Sequence, residues 1–284
     1  PGDWPTYRQN VSRNSHASTI VTPRLKQSWT TKIGGELTSV TVGHGLVFVA
    51  QVDRNTVHAL NARDGSPVWR FTAGGKVDSP PTIDQGRVYF GSADGNVYSL
   101  RAADGRLAWR TRAAPAERRV MGFGRLESAW PVNGSVLVQQ GAVYAAAGRS
   151  SFLDGGIYVV KIDADTGRVV YNYNVYDLES GEQPPLEGSF DMAGALPDIL
   201  SGDGERVFMR HLGFDAETLS PREKAPHAFS PAGYLDDTWW HRIYMVYGDD
   251  TLAGYGGWWK AGNKLPAGRV LVYDDESVYT FGRS

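Results

Sequence analysis

Between Asp236 and Arg242 the sequence DDTWWHR sets two carboxylates, an imidazole and a guanidinium within seven residues, interleaved with two indoles. Carboxylates and an imidazole suit a divalent cation or a polar ligand, and flanking indoles stack on ring ligands such as sugars. Asp236, Asp237, Trp239, Trp240, His241 and Arg242 are therefore the candidate ligand-binding residues. Trp258 and Trp259, in GYGGWWKAG, are candidates to line the same pocket. A plainer reading stands beside this one. On a strand, Asp237, Trp239 and His241 share one face, and Asp236, Thr238, Trp240 and Arg242 the other. Asp–Arg pairing and Trp packing then account for the pattern, and the glycines around Trp258-Trp259 suit a turn that caps a sheet.

Other chemistries are excluded more firmly. The 284 residues contain no Cys, so thiolate metal sites, disulfides and Cys nucleophiles are ruled out. His211, His227 and His241 lack recognisable metal spacing, and no metal site is assigned. No Ser stands in a nucleophile elbow, and the paired glycines lack the strand–helix setting of a phosphate loop. No catalytic residue is assigned. Lys and Arg number 29 against 31 Asp and Glu, a net charge of −2, so no nucleic-acid surface is expected. No apolar run reaches membrane-span length.

The elements that must carry these side chains are set by a repeat. ALNARDGSPVW at 59–69 returns as SLRAADGRLAW at 99–109 and, changed, as KIDADTGRVVY at 161–171. Each copy follows an alternating apolar run and places an Asp-Gly or Thr-Gly turn before an aromatic. Trp29, Trp69 and Trp109 are spaced forty residues apart. Three equivalent copies favour scaffold over chemistry, since one catalytic site needs no equivalent on every repeat. The expected anchors are Trp29, Asp64, Gly65, Trp69, Asp104, Gly105, Trp109, Thr166, Gly167 and Tyr171.

Inner strand, hairpin, middle strand, Asp-Gly turn and outer strand make a four-stranded antiparallel blade, and a period of about forty residues is that of β-propellers. The fold expected is all-β, with four to five blades visible, part of a seven- or eight-bladed ring. Residues 1–24 read as an extended lead-in tied down by Trp4 and Tyr7, and Leu25–Thr31 as a strand. The propeller domain is placed at 25–284. Blade repeats fall at about 25–172 and 203–284, with a divergent insertion over about 172–267. A shorter insertion, Ala113–Val138, carries Arg118, Arg119, Phe123, Glu127 and Trp130. A fourth repeat is signalled only by DGERVFM at 203–209, and GRVLVYDDESVYTF at 268–281 opens a fifth. Both ends read as cut, so fused domains in a longer parent chain are expected.

The pattern Ala-x-Asp-x-x-Thr-Gly-x-x-x-Trp, met here as Ala59-x-Asn61-x-x-Asp64-Gly65-x-x-x-Trp69 and its two later copies, resembles the repeat of the quinoprotein-like, PQQ-repeat propeller superfamily. The opening Asp3-Trp4-Pro5…Arg8 is similar to the entry segment of bacterial PQQ-repeat proteins. This resemblance implies two functions. Some members are alcohol or sugar dehydrogenases using pyrroloquinoline quinone (PQQ) and Ca²⁺, with Glu, Asn and Asp ligands and a catalytic Asp. Others, such as the outer-membrane assembly lipoprotein, use the ring to bind partners. None of the dehydrogenase ligands is matched by motif, and the vicinal Cys pair of the alcohol dehydrogenases is impossible here. The expectation is a non-catalytic scaffold, without cofactor, that binds a protein partner or a small polar ligand at the propeller mouth. PQQ and Ca²⁺ belong to the dehydrogenase alternative, and sugar binding by the Trp-rich insertion is a third. The resemblance also implies the bacterial periplasm or another extracytoplasmic space.

Overall fold

The computed structural model describes residues 2–122, 124–176, 195–230, 233–235, 245–249 and 265–282. Within them four complete blades follow one another, each a four-stranded antiparallel sheet whose strands neighbour in chain order. The first is β1 (Thr41–Gly43), β2 (Leu46–Gln51), β3 (Thr56–Asn61) and β4 (Pro67–Thr72). The second is β5 (Thr82–Asp84), β6 (Arg87–Gly91), β7 (Asn96–Arg101) and β8 (Leu107–Arg112). A hairpin, β9 (Arg119–Gly122) and β10 (Arg125–Ser128), precedes the third blade, β11 (Leu137–Gln139), β12 (Ala142–Ala147), β13 (Ile157–Asp163) and β14 (Val169–Val175). The fourth is β15 (Ser201–Gly202), β16 (Arg206–Met209), β17 (Leu212–Asp215) and β18 (Pro221–Arg222). Beyond it lie a three-stranded sheet, β19 (His227–Phe229), β20 (Met245–Gly248) and β21 (Ala267–Gly268), and a hairpin, β22 (Val270–Tyr273) with β23 (Val278–Phe281).

The apolar alternation read from the sequence sorts side chains between two cores rather than between core and solvent. On β6, Val88 and Phe90 join the slab shared with blade 1, and Tyr89 the slab shared with blade 3. On β12, Val143, Ala145 and Ala147 face blade 2, and Tyr144 and Ala146 face blade 4. Strands buried on both faces are near-continuously apolar, and the period of two decides which slab each residue enters. Repeats open at Gly because β1–β2, β5–β6 and β11–β12 are joined by two-residue turns with positive φ at both positions: His44-Gly45, Gln85-Gly86 and Gln140-Gly141. This is the type I′ geometry that right-twisted hairpins favour.

Successive blades interlock through the anchors. The indole N–H of Trp29 donates to Ala62 O at 3.1 Å, that of Trp69 to Ala102 O at 2.8 Å, and that of Trp109 to Ala164 O at 2.9 Å. Each ring lies over the turn glycine of the next blade, so a Cβ at Gly105 would stand 2.6 Å from Trp69 and one at Gly167 2.7 Å from Trp109. Gly65 sits the same way under Trp29, with φ +71. The Asp residues stay within their own turns. Asp64 accepts from Ser66 N and Oγ, Asp104 pairs with Arg101 and Arg106, and Asp163 accepts from Thr166 N and Oγ1.

Two sequence expectations change here. Leu25–Thr31 forms no strand: Trp29 is seated and Thr31 Oγ1 donates to Gly65 O at 2.6 Å, but no ladder is made there. The fourth repeat does not fade at Met209. Its outer half is Asp215–Leu219, where Leu219 takes the glycine's place at φ +57 and its N–H closes the same turn onto Asp215 O at 2.9 Å. A left-handed Leu carries no sequence signature, so the turn could not be seen. The hairpin β22–β23 falls within the repeat expected at 268–281, and β21 is separated from β22 by one residue and lies beside β23.

The lead-in crosses the middle of the ring. Trp4 exchanges both backbone bonds with Val42 of β1, Pro5 O accepts from Ile83 N of β5, Val11 O from Gly202 N of β15, and Asn14 O from Tyr273 N of β22. Inner strands of well-separated blades are thus tied to one strap.

Candidate functional site

Residues 236–242, with Asp236, Asp237, Trp239, Trp240, His241 and Arg242, lie outside the described residues, as do Trp258 and Trp259. Their attachment points are described. Residues 236–242 fall between β19 and β20, and 258–259 between β20 and β21. In an antiparallel meander these two connections leave β20 at opposite ends. The pocket expected from both Trp pairs lies outside the described residues. Of the histidines, His227 lies flat on Phe208 with ring centroids 4.0 Å apart. Its Nδ1 and Nε2 both meet backbone carbonyls, those of Ala225 and Arg210. His211 is held down to about 4 by burial, then by the charges of Arg210 and Lys224.

The base of the 236–242 segment is fixed by a residue that sequence reasoning missed. Asp198 is fully buried and accepts backbone N–H groups from Ile199, Tyr234 and Leu235, with Arg210 Nε at 4.0 Å. Burial lifts its carboxyl to about 6, against the lowering pull of Arg210 and the three N–H donors. The signal was a lone Asp in the apolar run ALPDIL. Tyr234 packs edge-on against Tyr7 of the strap at 5.6 Å. Close by, Arg13 is fully buried and donates to Leu200 O at 2.9 Å, Thr6 Oγ1 at 2.5 Å and Tyr7 O at 2.9 Å. Arg8 Nε donates to Arg13 O at 2.8 Å, and its Nη2 to Leu271 O. These cations staple the strap to blade 4 and to hairpin β22–β23. They act as structural staples, through backbone carbonyls, Thr6 Oγ1 and Met245 Sδ.

A second region lies on the face that carries the β2–β3, β6–β7 and β12–β13 turns. Hairpin β9–β10 lies across all three. Arg125 Nη1 donates to Val52 O at 3.4 Å, Ser128 N to Ala93 O at 2.8 Å, and Trp130 Nε1 to Asp154 O at 2.8 Å. Asp154 also binds Arg118, at 3.1 Å, and Arg149. Val120 packs down on the slab between blades 2 and 3. Met121 and Leu126, directly opposite each other in the ladder, point the other way and are 72% and 55% exposed. Phe123, at the tip, is outside the described residues. Among the described residues no group of three His, Asp or Glu converges to hold a metal ion. Nor, among the described residues, is any helix long and apolar enough to cross a membrane.

The blades, their slabs and their repeat turns define the class: an all-β propeller of PQQ-like repeats. The family model described as "Outer membrane protein assembly factor BamB" matches residues 19–185, more than half of the chain, and the chain belongs to that family. Its relatives divide between two activities. It is 28% identical over 229 residues to the outer membrane protein assembly factor BamB of Burkholderia pseudomallei (strain K96243), covering 79% of this chain and 53% of that protein. It is 27% identical over 220 residues to the dehydrogenase subunit of the quinone alcohol dehydrogenase of Gluconobacter oxydans (strain 621H), covering 69% of this chain and 28% of that protein. The solved structure of quinohemoprotein alcohol dehydrogenase ADHIIG from Pseudomonas putida HK5 shares the fold, with TM-score 0.55 and 17% identity over 89% of this chain and 39% of that one. The chain thus spans about half or less of the length of these relatives.

Proposed function

We propose that this chain is a non-catalytic scaffold that binds a protein partner through the face bearing hairpin β9–β10. The observation that carries the reading is the Met121–Leu126 pair: two large apolar side chains held outward on a hairpin whose underside is seated on three blades. Binding surfaces are built this way, with a loop element presented by a rigid ring and an apolar centre beside charge, here Arg119 on the same face. An assembly factor of the outer membrane, as the matched family is described, works outside the cytoplasm, and we place this chain in an extracytoplasmic compartment on that ground.

The test is a photo-crosslinker at position 119, beside Met121 on the same strand face, in the producing bacterium, with and without Met121→Asp and Leu126→Asp, adducts being identified by mass spectrometry. A recurrent single adduct, lost in the double variant while the melting temperature holds, is expected. Adducts of equal yield in both would overturn the assignment to this face. The dehydrogenase relatives favour a second reading, in which PQQ and Ca²⁺ would serve alcohol oxidation. Dye-linked turnover after reconstitution with both would establish it and end the scaffold reading.

A further inference from the structure

Outer strands of a propeller blade carry open N–H and C=O groups, and proteins keep such edges from pairing with bulges, charge or Pro. All three of the longer blades here share one device: a bulge just before the aromatic, at Ala59/Leu60, Ser99/Leu100 and Lys161/Ile162. Past the bulge they differ. Blade 1 continues with exposed Arg70, and blade 2 with exposed Arg110 and Arg112. Blade 4 ends in the two-residue strand Pro221–Arg222. Blade 3 runs on as Tyr171-Asn172-Tyr173-Asn174-Val175, in which Asn stands at both positions that carry Arg in blade 2. From Val169 to Tyr176 no residue is charged and none is Pro. Among the complete blades, β14 is the outer edge that lacks charge and Pro, and it is the longest.

The same five residues are self-complementary. An antiparallel pairing of two copies about Tyr173 sets Tyr171 against Val175, Asn172 against Asn174 and Tyr173 against Tyr173. That brings amide against amide on the face carrying exposed Asn172 and Asn174, and aromatic against β-branched side chains on the other. No like charges meet, whereas the same register about Thr111 in blade 2 would set Arg110 against Arg112. We propose that β14 is a homodimerisation edge, two copies of this chain joining their third blades into one continuous antiparallel sheet across a two-fold axis. An uncharged strand offers nothing to steer a charged partner, and a second copy supplies the matching neutral edge.

The test restores the protection seen in blade 2: Asn172→Arg with Asn174→Arg, measured by sedimentation equilibrium across a concentration series. The wild-type chain is expected to dimerise, and the double variant to do so at least about tenfold more weakly, through like charges set opposite each other. Hydrogen exchange should slow at 172–174 as wild-type concentration rises, and not in the variant. Asn172→Gln with Asn174→Gln, which adds bulk without charge, should keep the dimer and so separates edge chemistry from damage to the blade. A wild-type chain that stays monomeric throughout the series, or a dimer indifferent to the two arginines, overturns the proposal.

Discussion

The joints between blades come in two kinds. At the joints made by Trp29, Trp69 and Trp109, an indole covers a glycine and donates to an alanine carbonyl. At the joint between blades 3 and 4 the same turn and carbonyl recur with other side chains. Tyr171 is 46% exposed, Leu219 replaces the glycine and is fully buried, and the carbonyl of Ala216 accepts the Tyr144 hydroxyl at 2.6 Å. Lys161, standing where blades 1 and 2 have Ala59 and Ser99, donates to Glu217 O at 3.3 Å and lies about equally near the rings of Tyr144 and Tyr171. The lesson is that the joint has a fixed need, a filled slot over the turn and a donor for its carbonyl. The residue types that meet it are exchangeable as a set but not singly.

Single exchanges should therefore break the two joints in opposite senses. Gly105→Ala forces a side chain into left-handed backbone, at φ +69, and into the Trp69 ring, and should cost about 3 kcal/mol. At the equivalent site of blade 4 the loss is reversed: Leu219→Ala empties the slot and should cost about 2–3 kcal/mol. Equilibrium denaturation in urea reads both. A neutral Gly105→Ala would show that the indole is not seated as described.

The fourth blade is also where pH should act. The Asp198 carboxyl titrates near 3.8 when unfolded and at about 6 when folded. Between those values the folded chain holds the extra proton and releases it on unfolding, so this group lowers stability as pH rises from about 4 to 6. The effect is on the order of 2 kcal/mol. Asp64, Asp104, Asp163 and Asp215, held below the usual range by their turns, act oppositely and at lower pH. Asp198→Asn should flatten the melting temperature between pH 4 and 6. An unchanged slope would assign it to other groups.

Much of this contrast was legible in the sequence, and the rest was not for definite reasons. Period, Asp-Gly turns and aromatics announced the first three blades because glycine and tryptophan have few substitutes in the indole-covered joint. Blade 4 meets the same need with Leu219 and Tyr144, residues common everywhere, and so left no pattern. The strap read as an extended lead-in held by Trp4 and Tyr7, whereas the carbonyls that Arg8 and Arg13 bind lie in distant strands, a pairing no local window contains. Asp236–Arg242 drew attention by composition, whereas the Met121–Leu126 pair was two ordinary apolar residues until the hairpin register set them side by side.

The smallest predicted effect separates the joints most cleanly. Tyr89 and Tyr144 occupy the same position on β6 and β12, and each hydroxyl faces the alanine carbonyl of the following blade. At Ala164 the indole of Trp109 already donates at 2.9 Å and the Tyr89 hydroxyl stands off at 3.5 Å. At Ala216 the Tyr144 hydroxyl donates at 2.6 Å. Removing an oxygen without changing ring shape therefore has unequal consequences. Tyr144→Phe leaves a buried carbonyl unsatisfied and should cost about 1–2 kcal/mol, while Tyr89→Phe should stay within about 0.5 kcal/mol of the parent. Urea midpoints measured side by side decide it. Equal losses would mean that the two tyrosines serve by packing alone, and that the fourth blade is held without a donor in the indole's place.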